Sequence, residues 1–117
     1  MGWIDWNLVL DETGGPNHVG KLCDAPIIAD GTSDELIYQP SYWALGHFSR
    51  FIKPGAVRIQ STSMDPIEVT AFKNTDGSVV LVVLNQSESP VPVSCELEGS
   101  PFDFSSPAHS IATLMWN

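Results

Sequence analysis

Basic residues are scarce. Five Lys and Arg face fourteen Asp and Glu, a formal net charge of −9 at pH 7. The five, Lys21, Arg50, Lys53, Arg58 and Lys73, are scattered along the chain. No clustered basic face can be assembled from them, so no nucleic acid is expected as a partner. An anionic membrane surface repels such a chain on average. Cysteine is scarcer still. Cys23 and Cys95 form no CxxC pair, and the simplest reading is two small buried hydrophobes rather than a disulfide. His18, His47 and His109 lie too far apart for a local metal motif, and His18-x4-Cys23 is not a zinc spacing. No metal and no cofactor are expected.

Long apolar runs are missing too: nothing approaches the ~18–20 residues a membrane span requires. Gly14-Gly15-Pro16 has neither the spacing nor the following Lys-Ser/Thr of a phosphate loop. There is no GxSxG, and Ser49 beside His47 has no nucleophile logic. The start, Met1-Gly2-Trp3-Ile4-Asp5-Trp6, lacks the basic flank of a signal peptide. It opens inside an apolar segment, as expected of a piece of something longer. What remains is ample for folding: 117 residues, 43% apolar and 16% charged, suit one domain, or one domain and a fragment.

Two textures divide the chain. In residues 1–55, Trp3 to Leu10 is nearly all apolar and ends at the polar cluster Asp11–Asn17; it predicts a strand buried on both faces, as in a parallel sheet. Ala25–Asp30 and Leu36–Gln39 read as short extended segments. Pro40 opens a helix running to about Ile52, halted by Pro54-Gly55 and covered over more than half its surface. Residues 56–117 read as all β. Val57–Ser61, Ile67–Lys73 and Val91–Leu97 alternate; Ser78–Asn85 is apolar at both parities and predicts a central strand; His109–Trp116 closes the chain. Asn74-Thr75-Asp76-Gly77 predicts a hairpin turn with Gly77 at positive φ. Pro92 cannot donate to a ladder, so its strand lies at an edge or is bulged. Five strands make an incomplete antiparallel sandwich, so a partner strand is expected from outside.

Few side chains suggest chemistry. Glu12, Glu35, Glu68, Glu88, Glu96 and Glu98 all fall in turns or on alternating strands, where carboxylates are solvated. Asp5 and Asp24 sit among apolar residues, and a buried carboxylate is either hydrogen-bonded structure or a functional group. Trp3 and Trp6 have opposite parity and cannot share a strand face. A ring at the mouth of a β/α structure, beside Asn7, is what a sugar-binding wall requires, although spacing alone favours both rings in a core. Asn85-Gln86-Ser87 is an N-x-S/T sequon, expected in an exposed turn and open to a glycan at Asn85 on a secretory route.

Several segments resemble a known family. Gly2-Trp3-Ile4-Asp5-Trp6-Asn7-Leu8, Gly14-Gly15-Pro16-Asn17, Asp24-Ala25-Pro26-Ile27-Ile28, Gln39-Pro40 and Gly46-His47-Phe48-Ser49-Arg50-Phe51-Ile52 are similar to the C-terminal part of glycoside hydrolase family 30, nearest its glucosylceramidase (acid β-glucosidase) branch. Asp76–Asn85 and Ser110–Trp116 carry the same likeness. The resemblance implies a mostly β chain: a C-terminal antiparallel β-sandwich (residues 56–117) preceded by the last β/α unit of a (β/α)8 TIM barrel (residues 1–55). Residues 2–10 would be the eighth barrel strand and 40–52 its helix. Trp6 matches the tryptophan lining the glucose subsite. The loop after residues 17–20 usually offers an asparagine toward the site; this chain has Lys21, the second candidate substrate contact. Family members are retaining enzymes with two glutamates about 5–5.5 Å apart, on the fourth and seventh barrel strands, which this chain does not match. The resemblance thus implies a piece of a β-glucosidase hydrolysing glucosylceramide or a similar β-glucoside, in a lysosomal or secreted setting. It also implies missing barrel and sandwich strands as partners and an inactive isolated chain. The alternative is a stand-alone, non-catalytic β-sandwich module with a vestigial barrel arm.

Overall fold

The computed structural model describes residues 5–16, 20, 23–97 and 99–117. It divides into two compact units, residues 1–46 and 47–117.

In the first unit, β1 (Val9–Asp11), β2 (Ile27–Asp30) and β3 (Glu35–Tyr38) form one sheet in that order. β1 runs parallel to β2, with Val9 opposite Ile27. β2 and β3 form an antiparallel hairpin with Ile27 opposite Tyr38. Its turn is stabilised by Asp30, whose carboxylate accepts the Thr32 N–H at 2.8 Å and the Thr32 hydroxyl at 2.6 Å. Asp34 takes φ 57° there, a left-handed conformation that Asp tolerates better than most residues. Leu10 and Ala25 are buried, at 2% and 3% exposure. Helix α1 (Pro40–Ser49) follows, with the Tyr42 N–H donating to Gln39 O at 3.0 Å in its first turn.

Three expectations are corrected here. The strand foreseen from Trp3 to Leu10 covers Val9–Asp11, and residues 5–8 are irregular; Trp3 lies outside the described residues. It is not doubly buried either: Leu8 and Val9 are 62% and 45% exposed. A three-stranded sheet of short strands has too little surface to cover both sides of its edge. Helix α1 stops at Ser49 rather than near Ile52, and none of its residues is buried. One further helical bond, Ile52 N–H to Phe48 O at 3.0 Å, leads into a turn before Pro54.

In the second unit, β4 (Val57–Ile59), β5 (Ile67–Lys73), β6 (Val79–Asn85) and β9 (Ser110–Trp116) make an antiparallel sheet in the order β4-β5-β6-β9. β7 (Val91–Leu97) and β8 (Ser100–Ser106) make a second, two-stranded sheet. Strand β6 has neighbours on both sides, with Val83 opposite Val69 on β5 and Ala112 on β9. Accordingly Val80 and Val83 are fully buried, joined in the core by Ile67, Ala71, Val79 and Val82. The sheets meet where the Phe102 ring packs edge-on against Trp116, 6.0 Å between centroids. The hairpin turn forms as expected: the Gly77 N–H donates to Asn74 O at 3.0 Å, and Gly77 has φ 90°. Pro92 lies opposite Ser105 on β7, which pairs with β8 alone, so its missing N–H costs no second ladder.

Among the described residues this unit has six strands rather than the five foreseen. The extra one, β8, reads Ser-Pro-Phe-Asp-Phe-Ser-Ser. Its proline and serines mimic a loop, but Phe102 and Phe104 share one face, and their rings stack at 5.9 Å. The exposed turn foreseen around Asn85 is also corrected. Asn85 is the last residue of β6 and has 0% exposure. Both cysteines are free, and Cys23 is exposed rather than buried while Cys95 is intermediate. Burial and the Asp103 charge push the Cys95 thiol pKa up. Asp5 and Asp24 are exposed, not enclosed; each carboxylate accepts the next residue's N–H, at 2.8 Å in both cases.

Candidate functional site

Of the candidate residues, Trp6 and Asn85 are described and Lys21 lies outside the described residues. Trp6 and Asn85 fall in different units and serve different ends.

Trp6 sits on the irregular segment that enters β1, with 63% of its surface exposed. Its backbone N–H donates to the Asp5 carboxylate at 2.8 Å. The next residue, Asn7, has φ 46°, a left-handed conformation that a non-glycine residue holds only at a cost. That reversal interrupts the extended run foreseen through Trp3–Leu10, so strand parity does not fix the direction of Trp6 among the described residues. The chemical offer is an exposed indole whose neighbours in sequence are a carboxylate, Asp5, and an amide, Asn7. An apolar ring takes the C–H face of a sugar; acceptors and donors beside it take hydroxyls.

The turn that ends β1 is firmly built. The Asp11 carboxylate accepts the Thr13 N–H at 2.9 Å, the Thr13 hydroxyl at 2.7 Å and the Gly15 N–H at 2.7 Å. The Thr13 hydroxyl, then the Gly15 N–H, hold the Asp11 carboxyl below its usual range. A Cβ on Gly15 would stand 3.0 Å from Asp11 Oδ2, so any side chain there crowds the carboxylate that holds the turn. Glu12 reaches across to accept the Gly31 N–H at 3.0 Å, tying this turn to the β2–β3 hairpin. Sequence reasoning took Asp11 only as part of a polar cluster, Glu12 as a solvated carboxylate and Asn7 as the polar neighbour of a ring, and foresaw none of these contacts. Asp11-x-Thr13-x-Gly15 was the available signal, an Asx-type turn written in its own residue order.

Glutamates elsewhere are committed to similar duties. Glu68 accepts from Gln86 Nε2 at 2.8 Å, and Glu88 pairs with His109 Nε2 at 2.9 Å. Glu35 and Glu96 are exposed on strands. Among the described residues no group of three or more His, Cys, Asp or Glu is placed to hold a metal ion.

Asn85 is a structural hub. Its amide nitrogen lies 3.1 Å from Ser89 O, 3.0 Å from Ser106 O and 2.8 Å from Pro107 O, donating to these carbonyls. Its oxygen accepts the Ser87 N–H at 3.0 Å and the Ser87 hydroxyl at 2.7 Å. The end of β6, the loop after it and the end of β8 are thus gathered on one side chain.

Residues 1–52 match the glycosyl hydrolase family 30 TIM-barrel domain and residues 55–114 the family's beta sandwich domain. The lysosomal acid glucosylceramidase of Mus musculus is 44% identical over 98% of this chain. A putative glucosylceramidase of Caenorhabditis elegans, numbered 1, is 43% identical over 97%. The chain spans 23% of the length of each. Among solved structures, SrfJ from Salmonella typhimurium superposes with a TM-score of 0.88 at 38% identity, over 95% of this chain and 25% of its own. An endo-beta1,6-glucanase superposes at 0.85 with 30% identity, over 95% of this chain and 26% of its own. With the barrel-end and sandwich segments adjoining in the order described above, the chain belongs to glycosyl hydrolase family 30.

Proposed function

We propose that this chain is the C-terminal portion of a retaining β-glucosidase that hydrolyses glucosylceramide or a closely related β-glucoside. The carrying observation is the 44% identity to a lysosomal acid glucosylceramidase over nearly the whole chain. Residues 1–55 contribute the last strand–loop–helix of the barrel, and 56–117 contribute sandwich. Trp6 lines the sugar subsite, stacking its open indole on the glucose ring, and Lys21 contacts substrate from the following loop. The acid/base and nucleophile glutamates belong to segments outside this chain. Supporting that assignment, the described glutamates are exposed and three of them, Glu12, Glu68 and Glu88, hold structural hydrogen bonds. A retaining pair instead needs two carboxyls facing one glycosidic bond. The working compartment is lysosomal or extracellular.

The test is an assay of the purified 117-residue chain on a fluorogenic β-glucoside, beside a longer protein that includes the preceding barrel strands. The longer protein should hydrolyse the substrate and the chain alone should not. Turnover by the chain alone, abolished by a substitution within it, would refute the assignment of the glutamates. No β-glucoside hydrolysis by the longer protein would refute the activity.

A further inference from the structure

The matched barrel and sandwich segments adjoin between Ile52 and Gly55, yet the second compact unit begins at His47, inside helix α1. The contacts of residues 47–56 explain the difference. The His47 ring, through Nδ1, hydrogen-bonds the Thr113 hydroxyl on β9 at 2.8 Å. The Phe48 ring packs edge-on against Phe72 on β5, 6.5 Å between centroids. Beyond the helix, Asn74 takes over. It is 4% exposed. Its oxygen accepts the Lys53 N–H at 2.9 Å, and its nitrogen donates to Phe51 O at 3.1 Å and to Ser78 Oγ at 3.0 Å. One side-chain amide therefore pairs with the main chain on both sides of Ile52, as a neighbouring strand would.

The same turn holds the segment twice more. Asp76 receives the Lys53 ammonium together with the Ser78 N–H and hydroxyl. Gly55, at φ 86°, lies so close that a Cβ there would stand 2.9 Å from Thr75 Cγ2. These partners of residues 51–55 all come from the β5–β6 hairpin turn, while those of His47 and Phe48 lie on β9 and β5.

We propose that the Asn74–Ser78 turn is a latch, with the Asn74 amide as its central element, that makes residues 47–56 unfold with the sandwich rather than with the barrel segment whose sequence they continue. The junction between the two family segments is on this account no flexible linker. The end of the barrel helix is held as part of the sandwich body, and the physical boundary falls within α1.

Native-state hydrogen exchange on the protein tests this. The Lys53 amide, which donates to Asn74, should exchange through the same denaturant-sensitive opening as the β6 amides. In Asn74→Ala, exchange at Lys53 should accelerate at least about tenfold beyond any change in β6, as loss of a buried hydrogen-bond partner implies. A wild-type Lys53 amide that exchanges by a local, denaturant-insensitive opening overturns the proposal. So does an Asn74→Ala variant in which Lys53 and β6 shift equally. Should Asn74→Ala fail to fold, the wild-type comparison decides alone.

Discussion

Replacing Asn85 by alanine removes a side chain that is fully buried and hydrogen-bonded at both amide atoms. Three carbonyls, of Ser89, Ser106 and Pro107, lose their donor; the Ser87 N–H and hydroxyl lose their acceptor. A net ~0.5–1.5 kcal/mol per bond is typical, with more where the orphaned partner stays dry. The Ser106 carbonyl bond is the buried one; the others are partly open to water. Water will reclaim some of them, so the expected loss is about 4 kcal/mol. Against a total of ~5–15 kcal/mol for a domain, that is severe. Urea unfolding of the protein and of Asn85→Ala measures it as a drop in midpoint at nearly constant slope. A loss below about 1 kcal/mol would refute the hub, because it would mean the five groups find equal partners without Asn85. Asn85→Asp sharpens the test. It keeps the size but sets a carboxylate against three carbonyl oxygens, which disfavours the charged form and raises its folded pKa. A group with a raised folded pKa contributes stability below its unfolded pKa and loses it as pH rises through the folded value. The Asp variant should therefore be closest to wild type in acid and fall away toward neutrality.

The same geometry predicts that Asn85, although in a sequon, is unmodified in the folded protein: a glycan on Nδ2 would replace one hydrogen of a donor already shared among three carbonyls. Intact-mass and peptide analysis of natively produced protein checks this, and an occupied site in folded material would contradict it. Trp6→Ala, in a longer protein that turns over substrate, should lower kcat/KM about tenfold or more, a transition-state loss of about 1.4 kcal/mol. It should hardly move the thermal midpoint, because the ring is 63% exposed; unchanged kcat/KM would remove Trp6 from the subsite. Three turn carboxylates contribute to acid sensitivity. Thr32 holds Asp30 at about 2, and Asp11 and Asp76 are lowered by Thr13 and Lys53 respectively. Depressed folded values contribute stability above the ordinary 3.8 and lose it as pH falls through the folded value. Melting temperature should not decline on their account between pH 7 and about 4.5, and Asp30→Asn should flatten the decline between 3.8 and about 2.

What the sequence disclosed and what it withheld separate by the range of the physics involved. The β5–β6 hairpin was legible because everything that makes it is local. Alternation from Ile67, a turn of Asn74 to Gly77 and a strand apolar at both parities suffice without knowing what packs on them, and both strands fall where expected. Strand β8 was hidden because Pro101 and the flanking serines speak for a loop, and only pairing with β7 outweighs them. Cys23 and helix α1 were misjudged for burial because burial belongs to the partner surface, and a segment's own hydrophobicity does not reveal whether that surface is present. Asn85 shows the limit best. Its local code, a polar residue after an apolar strand followed by Gln-Ser-Glu-Ser-Pro, is that of an exposed turn. It is buried because β8, itself unreadable, returns Ser106 and Pro107 to its amide. Missing one strand therefore also concealed the residue that gathers the loops around it, and Trp6, whose spacing alone favoured a core position, was singled out only by its likeness to a family tryptophan.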